Sequence, residues 1–245
     1  MNILLTGSHG FIGKNVYELL KDKHWIQCLD TSIGKDITDC DLNYKDIDCV
    51  IHLAGSANVR DSLENPTKYW TNNVQNSKRL FDAFPNTRIL YASSSTAAEP
   101  WANPYALSKK AMEMIAPPHA LGMRFTTVYG PGGRPDMLIP RILRNELKYA
   151  NINFSRDFIH VYDVVSAIET FMLAPNMTGL ADVGTGQSVK VLDIIDHFGL
   201  DVERVQGDTT LERVDNTADI TRLTSLCWRP HYNVIKYISE NKNVQ

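Results

Sequence analysis

Cysteine is scarce in this chain: four in 245 residues, at Cys28, Cys40, Cys49 and Cys227. No C-x-x-C pair occurs, and the seven histidines include no H-E-x-x-H, so zinc has no ligand spacing to rest on and no metal is expected. Scattered thiols suit a reducing, cytoplasmic setting, where a buried cysteine behaves as a small hydrophobe. An excess of positive charge is also lacking. Lys and Arg total 25 against 28 for Asp and Glu, a net charge of −3, which argues against nucleic acid or an anionic membrane surface as a partner. No apolar run approaches the roughly 20 residues of a membrane span. The opening Met1-Asn2-Ile3-Leu4-Leu5-Thr6-Gly7 has no basic segment ahead of its apolar residues, so no secretory leader is expected. Repeats and low-complexity tracts are absent. What remains is 43% hydrophobic and 22% charged, enough to bury a sizeable core in a soluble globular protein.

Short apolar runs alternate with helical periodicity along the first half. Ile3-Leu4-Leu5, Trp25 to Leu29, Cys49 to Leu53, Arg88 to Ala92 and Leu121 to Thr127 predict strands. Phe11 to Leu20, Asn65-Pro66 to about Phe84, and Pro104 to Ala116 predict helices. This alternation predicts an α/β fold, a parallel sheet covered on both faces. After Gly130, prolines and glycines punctuate the chain, and helices near 137–149, 162–174, 190–198 and 231–240 join only short strands.

Gly7-Ser8-His9-Gly10-Phe11-Ile12-Gly13 falls between the first strand and the first helix. Glycines there let the backbone turn tightly and approach a pyrophosphate, and the helix N-terminus adds N–H donors and a positive dipole end. Glycine-rich turns also arise for packing alone. Asp30, at the end of the second strand, adds a carboxylate placed to accept from ribose hydroxyls and to repel a 2′-phosphate, favouring NAD over NADP; its plainer role is to begin a turn. Tyr105-Ala106-Leu107-Ser108-Lys109 puts a phenol and an ammonium on one helix face. The ammonium is expected to lower the phenol's pKa and so fit it for acid–base work, although such pairs are often only solvated. Tyr91-Ala92-Ser93-Ser94-Ser95-Thr96 ends a strand in hydroxyls, at the edge of a parallel sheet where ligands bind. Together these features indicate a Rossmann-type doubly wound sheet over residues 1–128 and a smaller α/β part over 129–245, with the chain crossing between them.

In this order the motifs resemble the extended short-chain dehydrogenase/reductases, and within them the NAD-dependent sugar-nucleotide epimerase/dehydratase family. The resemblance runs nearly end to end. It implies NAD contacts from Gly7, Gly10, Phe11, Ile12, Gly13 and Asp30, from Asp36-Ile37 beside adenine, from His52-Leu53-Ala54-Gly55, and from Asn73 in Asn72-Asn73-Val74. It implies Tyr105, Lys109 and Ser94 as the catalytic residues, with Ser95 replacing Ser94 if the loop is shifted. Arg156-Asp157-Phe158-Ile159-His160-Val161-Tyr162-Asp163 and Val183-Gly184-Thr185-Gly186 are further family marks. Arg156 is implied to contact the nucleotide diphosphate, as a guanidinium fork suits phosphate oxygens; its alternative is a surface pair with Asp157.

The stretch from Leu121 to Met137 is similar to the matching segment of UDP-glucuronate 4-epimerases, in which the residues corresponding to Thr127 and Arg134 lie near the substrate. Phe154 is a candidate to stack on uracil, or a core residue. The implied smaller part is then substrate-binding, its ligand a UDP-hexose or UDP-hexuronate. The implied reaction is 4-epimerisation through a transient 4-keto sugar: Tyr105 takes the 4-hydroxyl proton, Ser94 holds the same oxygen, Lys109 holds the nicotinamide ribose, and NAD is recycled. Family dehydratases carry an Asp-Glu pair after the catalytic hydroxyl, where this chain has Thr96-Ala97-Ala98, and Glu99 comes too late to replace it. Only eleven positions separate Ser94 from Tyr105, and Pro117-Pro118 ends the catalytic helix after about three turns. These cuts fall on substrate-side loops and on a helix that family members use for dimer packing, so a homodimer is one candidate assembly. Two other readings stay open: a reductase of a nucleotide-linked keto sugar, and an NAD-binding regulatory protein without catalysis.

Overall fold

The computed structural model describes residues 1–242. Its first half is β1 (Asn2–Thr6), α1 (Phe11–Leu20), β2 (Trp25–Leu29), β3 (Cys49–His52), α2 (Val59–Glu64), α3 (Pro66–Trp70), α4 (Asn76–Ala83), β4 (Arg88–Ser94), α5 (Pro104–Ile115), β5 (Leu121–Phe125) and β6 (Thr127–Tyr129). The second half adds α6 (Leu138–Leu143), β7 (Tyr149–Asn151), β8 (Ser155–Arg156), β9 (Phe158–His160), α7 (Val161–Met172), β10 (Gly179–Val183), β11 (Val189–Lys190), α8 (Val191–His197), β12 (Glu203–Val205), α9 (Thr221–Ser225) and α10 (Val234–Asn241).

Six strands form a parallel sheet in the order β10-β5-β4-β3-β1-β2. The chain runs outward from β1 to β2 and then crosses back to β3, so the order reverses beside β1, the crevice where doubly wound sheets bind ligands. Side chains alternate between the two faces, as the two-residue period of a strand requires. Ile3, Leu5, Ile51, Leu90 and Met123 join one buried cluster with residues of α1 and α7. Leu4, Val50, Ile89 and Tyr91 join the opposite cluster with Leu80 and Phe81 of α4 and Met112 of α5. Both faces are therefore covered. Although α7 and β10 lie beyond residue 128, they pack on or extend this sheet. Leu223 of α9 and Trp228 also join the first cluster, while much of the remaining C-terminal half forms a separate core around Tyr129, Ile142, Phe158, Ile194 and Ile238, supported by the two-stranded pairs β6-β9, β7-β12 and β8-β11.

Two helical expectations are corrected. The continuous helix expected from Asn65 to Phe84 is interrupted at Thr71–Gln75 by a π turn. This wider turn carries Asn72 and Asn73 inward, where Asn73 bonds Ser56 N at 2.8 Å, Ser56 O at 3.0 Å and Ser108 Oγ at 2.8 Å; those bonds stabilise a geometry that apolar periodicity does not encode. The helix expected over 137–149 stops at Leu143, because Asn145 adopts a left-handed φ of 53° and the chain then extends into β7. A short helix that periodicity does not announce, α2, starts where the Asn58 side chain accepts from Asp61 N. Among the described residues no helix is long and apolar enough to cross a membrane.

Candidate active site

A cavity of about 560 Å3 opens at the C-terminal edge of the sheet. Its floor is the turn between β1 and α1. Gly7 has a φ of +68°, and a Cβ there would lie 2.6 Å from Ala54 N; a Cβ on Gly13 would lie 2.0 Å from Gly7 O. These two glycines let α1 close against the strand ends, whereas Gly10 is exposed and free to approach a ligand. The start of α1 has no side-chain cap and no acid in its first turn, so its amides and dipole face the cavity uncompensated, which fits a pyrophosphate. Phe11, Ile12, Leu53 and Gly55 complete this floor.

Asp30 stands beyond β2, and its carboxylate accepts from Ser32 N and His9 N, both at 2.9 Å. Partial burial pushes its pKa up, but those amides more than reverse this and hold it below the usual carboxylate range. Each oxygen keeps acceptor capacity for a ribose hydroxyl. Asp30 begins a turn as well, and it stands outside the lining of the cavity. Asp36 and Ile37 lie off the cavity: Asp36 accepts from Thr38 N at 2.8 Å, and Ile37 is a core residue. Ala54 donates its N–H to Thr6 Oγ1 at 3.2 Å. Asn73 is buried behind Gly55.

Ser94, Ser95, Tyr105 and Lys109 share the cavity wall. The end of β4 supplies the serines. Asn103 caps α5 by accepting from Ala106 N at 2.8 Å, with Pro104 at the first helical position, and this fixes the helix that carries Tyr105 and Lys109. The Lys109 ammonium donates to Ala92 O at 2.8 Å. One electrostatic expectation is corrected. The Tyr105 phenol is raised, not lowered: burial pushes it up, while a hydrogen bond with Ser94 and the charge of Arg134 pull part of the way back. Burial lowers the pKa of Lys109 to about 8.

The far wall comes from the C-terminal half: Thr127, Arg134 and Arg156, joined by Glu212, Arg213 and Asn216. Arg134 bonds Ala57 O and lies 3.3 Å from Asp136. Arg156 pairs with Glu212 at 2.9 Å, not with Asp157, whose buried carboxylate instead accepts from Thr185 N, Gly186 N and Ala218 N. Arg213 pairs with Glu99 at 3.2 Å and donates to Ser95 O at 3.1 Å. Asn216 donates to Thr127 Oγ1 at 3.2 Å. Sequence reading missed Glu212, Arg213 and Asn216, because they come from an irregular stretch with no regular spacing. Phe154 lines an adjoining cavity of about 420 Å3, but its ring lies 4.4 Å from the Arg156 guanidinium, and a Cβ on Gly207 would fall 2.2 Å from it. It is a packed residue that props Arg156.

Residues 3–179 match the NAD dependent epimerase/dehydratase family. The chain belongs to that family. Its NAD dependence agrees with the glycine turn, which suits a pyrophosphate, and with Asp30, which suits a ribose. Among relatives of this epimerase/dehydratase family member, Protein CapI of Staphylococcus aureus is 30% identical over 234 aligned positions, covering 71% of this chain and 70% of CapI. UDP-glucuronate 4-epimerase 2 of Arabidopsis thaliana is 30% identical over 67% of this chain and 52% of its own. Of solved structures, MoeE5 in complex with UDP-glucose and NAD superposes with a TM-score of 0.85 at 26% identity, covering 99% of this chain and 97% of that one. Such a match across the whole length agrees with the six-stranded doubly wound sheet.

Proposed function

We propose that this protein is an NAD-dependent 4-epimerase of a UDP-sugar, and that the sugar is a hexuronate, UDP-glucuronate exchanging with UDP-galacturonate. The observation that carries this reading is the meeting, in one cavity, of a dinucleotide-binding turn, the Ser94–Tyr105–Lys109 group and three arginines from the opposite wall. Two guanidinium groups, Arg156 and Arg213, suit a diphosphate; Arg134 with the Thr127 hydroxyl is then left for a further anion, and a sugar carboxylate fits. The relatives named UDP-glucuronate 4-epimerase and the solved complexes with UDP-sugars support the substrate class.

NAD, when bound, would supply the hydride acceptor and donor for the sugar carbon. Tyr105 removes the proton of the 4-hydroxyl and later returns it. Ser94 holds the same oxygen, and with Arg134 it favours the phenolate against the burial that opposes it. Lys109 brings a buried positive charge to the floor of the site. Thr96-Ala97-Ala98 forms a tight turn after the serines and Glu99 is engaged by Arg213, so no free carboxyl pair stands ready to expel water. Four free thiols support a cytoplasmic setting. Leu107 and Met114, exposed on α5, and Trp70 at the end of α3 support a homodimer.

The test is proton NMR of the purified protein with UDP-glucuronate, without added cofactor, beside UDP-galacturonate, UDP-glucose and UDP-N-acetylglucosamine. A second anomeric signal growing to a fixed ratio is expected with the two uronates, and none in Tyr105→Phe. Silence with every sugar after one addition of NAD+, or stoichiometric use of NADH with a keto sugar, overturns the assignment.

A further inference from the structure

Glu113 lies one turn beyond Lys109 and two beyond Tyr105, on the same face of α5, and its side chain is only 2% exposed. Three donors fix the carboxylate. Arg124 of β5 gives two bonds, Nε to Oε1 and Nη2 to Oε2, each 2.7 Å. Ser93 of β4 gives one more through Oγ, also 2.7 Å. Lys110 stands farther off, at 3.7 Å. Burying a carboxylate is costly without such partners. Ser93 is the residue before Ser94, so the same carboxylate ties the strand end that carries Ser94 to the helix that carries Tyr105.

We propose that Glu113 is a positioning residue: pinned by Arg124 and Ser93, it supplies the counter-charge that keeps Lys109 an ammonium and holds the Ser94 strand end against the Tyr105 helix. The inference rests on the reading of Lys109 as part of the catalytic group. The groups around Lys109 are few. Its own helix brings Tyr105, Lys110 and Glu113. From β3 comes His52, which burial holds down to about 3 and therefore neutral. Arg124 reaches it only through Glu113, and Arg134 acts on Tyr105. Glu113 is the one anion in this set. Burial alone drives Lys109 toward losing its proton, and the charge of Glu113 opposes that.

The decisive experiment is a 13C NMR titration of Lys109 in the full chain with NAD bound, using lysine labelled at Cε and assigning the signal with Lys109→Met. It needs no sugar, so it stands or falls separately from the epimerase reading. Removing the anion disfavours the ammonium, so Glu113→Gln should lower the Lys109 midpoint by about one pH unit, and Glu113→Asp should restore it. If Glu113 merely filled space, loosening the site would admit water and raise the midpoint instead. A midpoint in Glu113→Gln that is unmoved or raised overturns the proposal. If Glu113→Gln does not fold, the double variant Glu113→Met with Arg124→Met replaces the ion pair by apolar groups, a change buried pairs often tolerate. There too a lowered midpoint supports the proposal, and an unmoved or raised one overturns it.

Discussion

Asp30 stands just beyond the end of β2, and its two carboxylate oxygens are already oriented by the amides of Ser32 and His9. A carboxylate held charged at that place attracts ribose hydroxyls and repels a 2′-phosphate. Replacing it with alanine removes both effects at once. Asp30→Ala should therefore weaken NAD by about tenfold or more while NADP gains or stays level, as each 1.4 kcal/mol of lost contact is tenfold in affinity. Fluorescence titration with the two cofactors checks this, and an unchanged preference would remove Asp30 from the site. At this scale the sequence was informative wherever chemistry depends on close spacing. The glycine turn, Asp30 and the Tyr105–Lys109 pair are legible because each is local. Arg213 and Asn216 are not, because nothing in Leu211-Glu212-Arg213-Val214-Asp215-Asn216 announces that this stretch folds back more than a hundred residues to meet Ser95.

Between elements, the binding wall is held by one buried carboxylate. Asp157, just ahead of β9, accepts from Thr185 N and Oγ1 at 2.8 and 2.7 Å, Gly186 N at 2.9 Å and Ala218 N at 3.1 Å, while its own N–H donates to Asn216 Oδ1 at 2.8 Å. It thereby joins the loop after β10 to the stretch that carries Arg213 and Asn216. Asp157→Ala leaves those buried amides without partners, each at a cost of about 1–3 kcal/mol. The variant should lose about 3 kcal/mol or more of stability in urea unfolding, and a loss below about 1 kcal/mol would mean the loops hold themselves. The motif around Asp157 is visible in the sequence, but its function as a joint is not, since the two partner segments are distant along the chain. The π turn at Thr71–Gln75 was hidden for a different reason. Apolar periodicity reports a helix, and only the tertiary bonds of Asn73 to Ser56 and Ser108 reveal that the helix widens there.

Across the whole molecule, the sheet followed from the strand and helix alternation because its four inner strands are short, largely apolar and buried on both faces. The C-terminal half was less legible, since its two-stranded pairs are too brief to leave a period. Its length is also unusual. The alignment with CapI runs for 234 positions yet takes up only 71% of this 245-residue chain, so CapI carries insertions where this chain is trimmed. Helix α5 ends at Ile115, ahead of Pro117, with Leu107 50% and Met114 76% exposed on one face and Trp70 of the neighbouring α3 at 45%. Aromatic and Met side chains gathered in this way suit a protein–protein contact more than open water. A second copy related by a two-fold axis would cover the patch with the same patch. Sedimentation velocity should then find twice the 27.6 kDa of one chain. Met114→Glu, which places a charge in the middle of the contact far from Tyr105 and Lys109 on the helix, should return the protein to a monomer without unfolding it. A monomer in the wild type at micromolar concentration would leave these residues as an exposed face with no partner of its own kind.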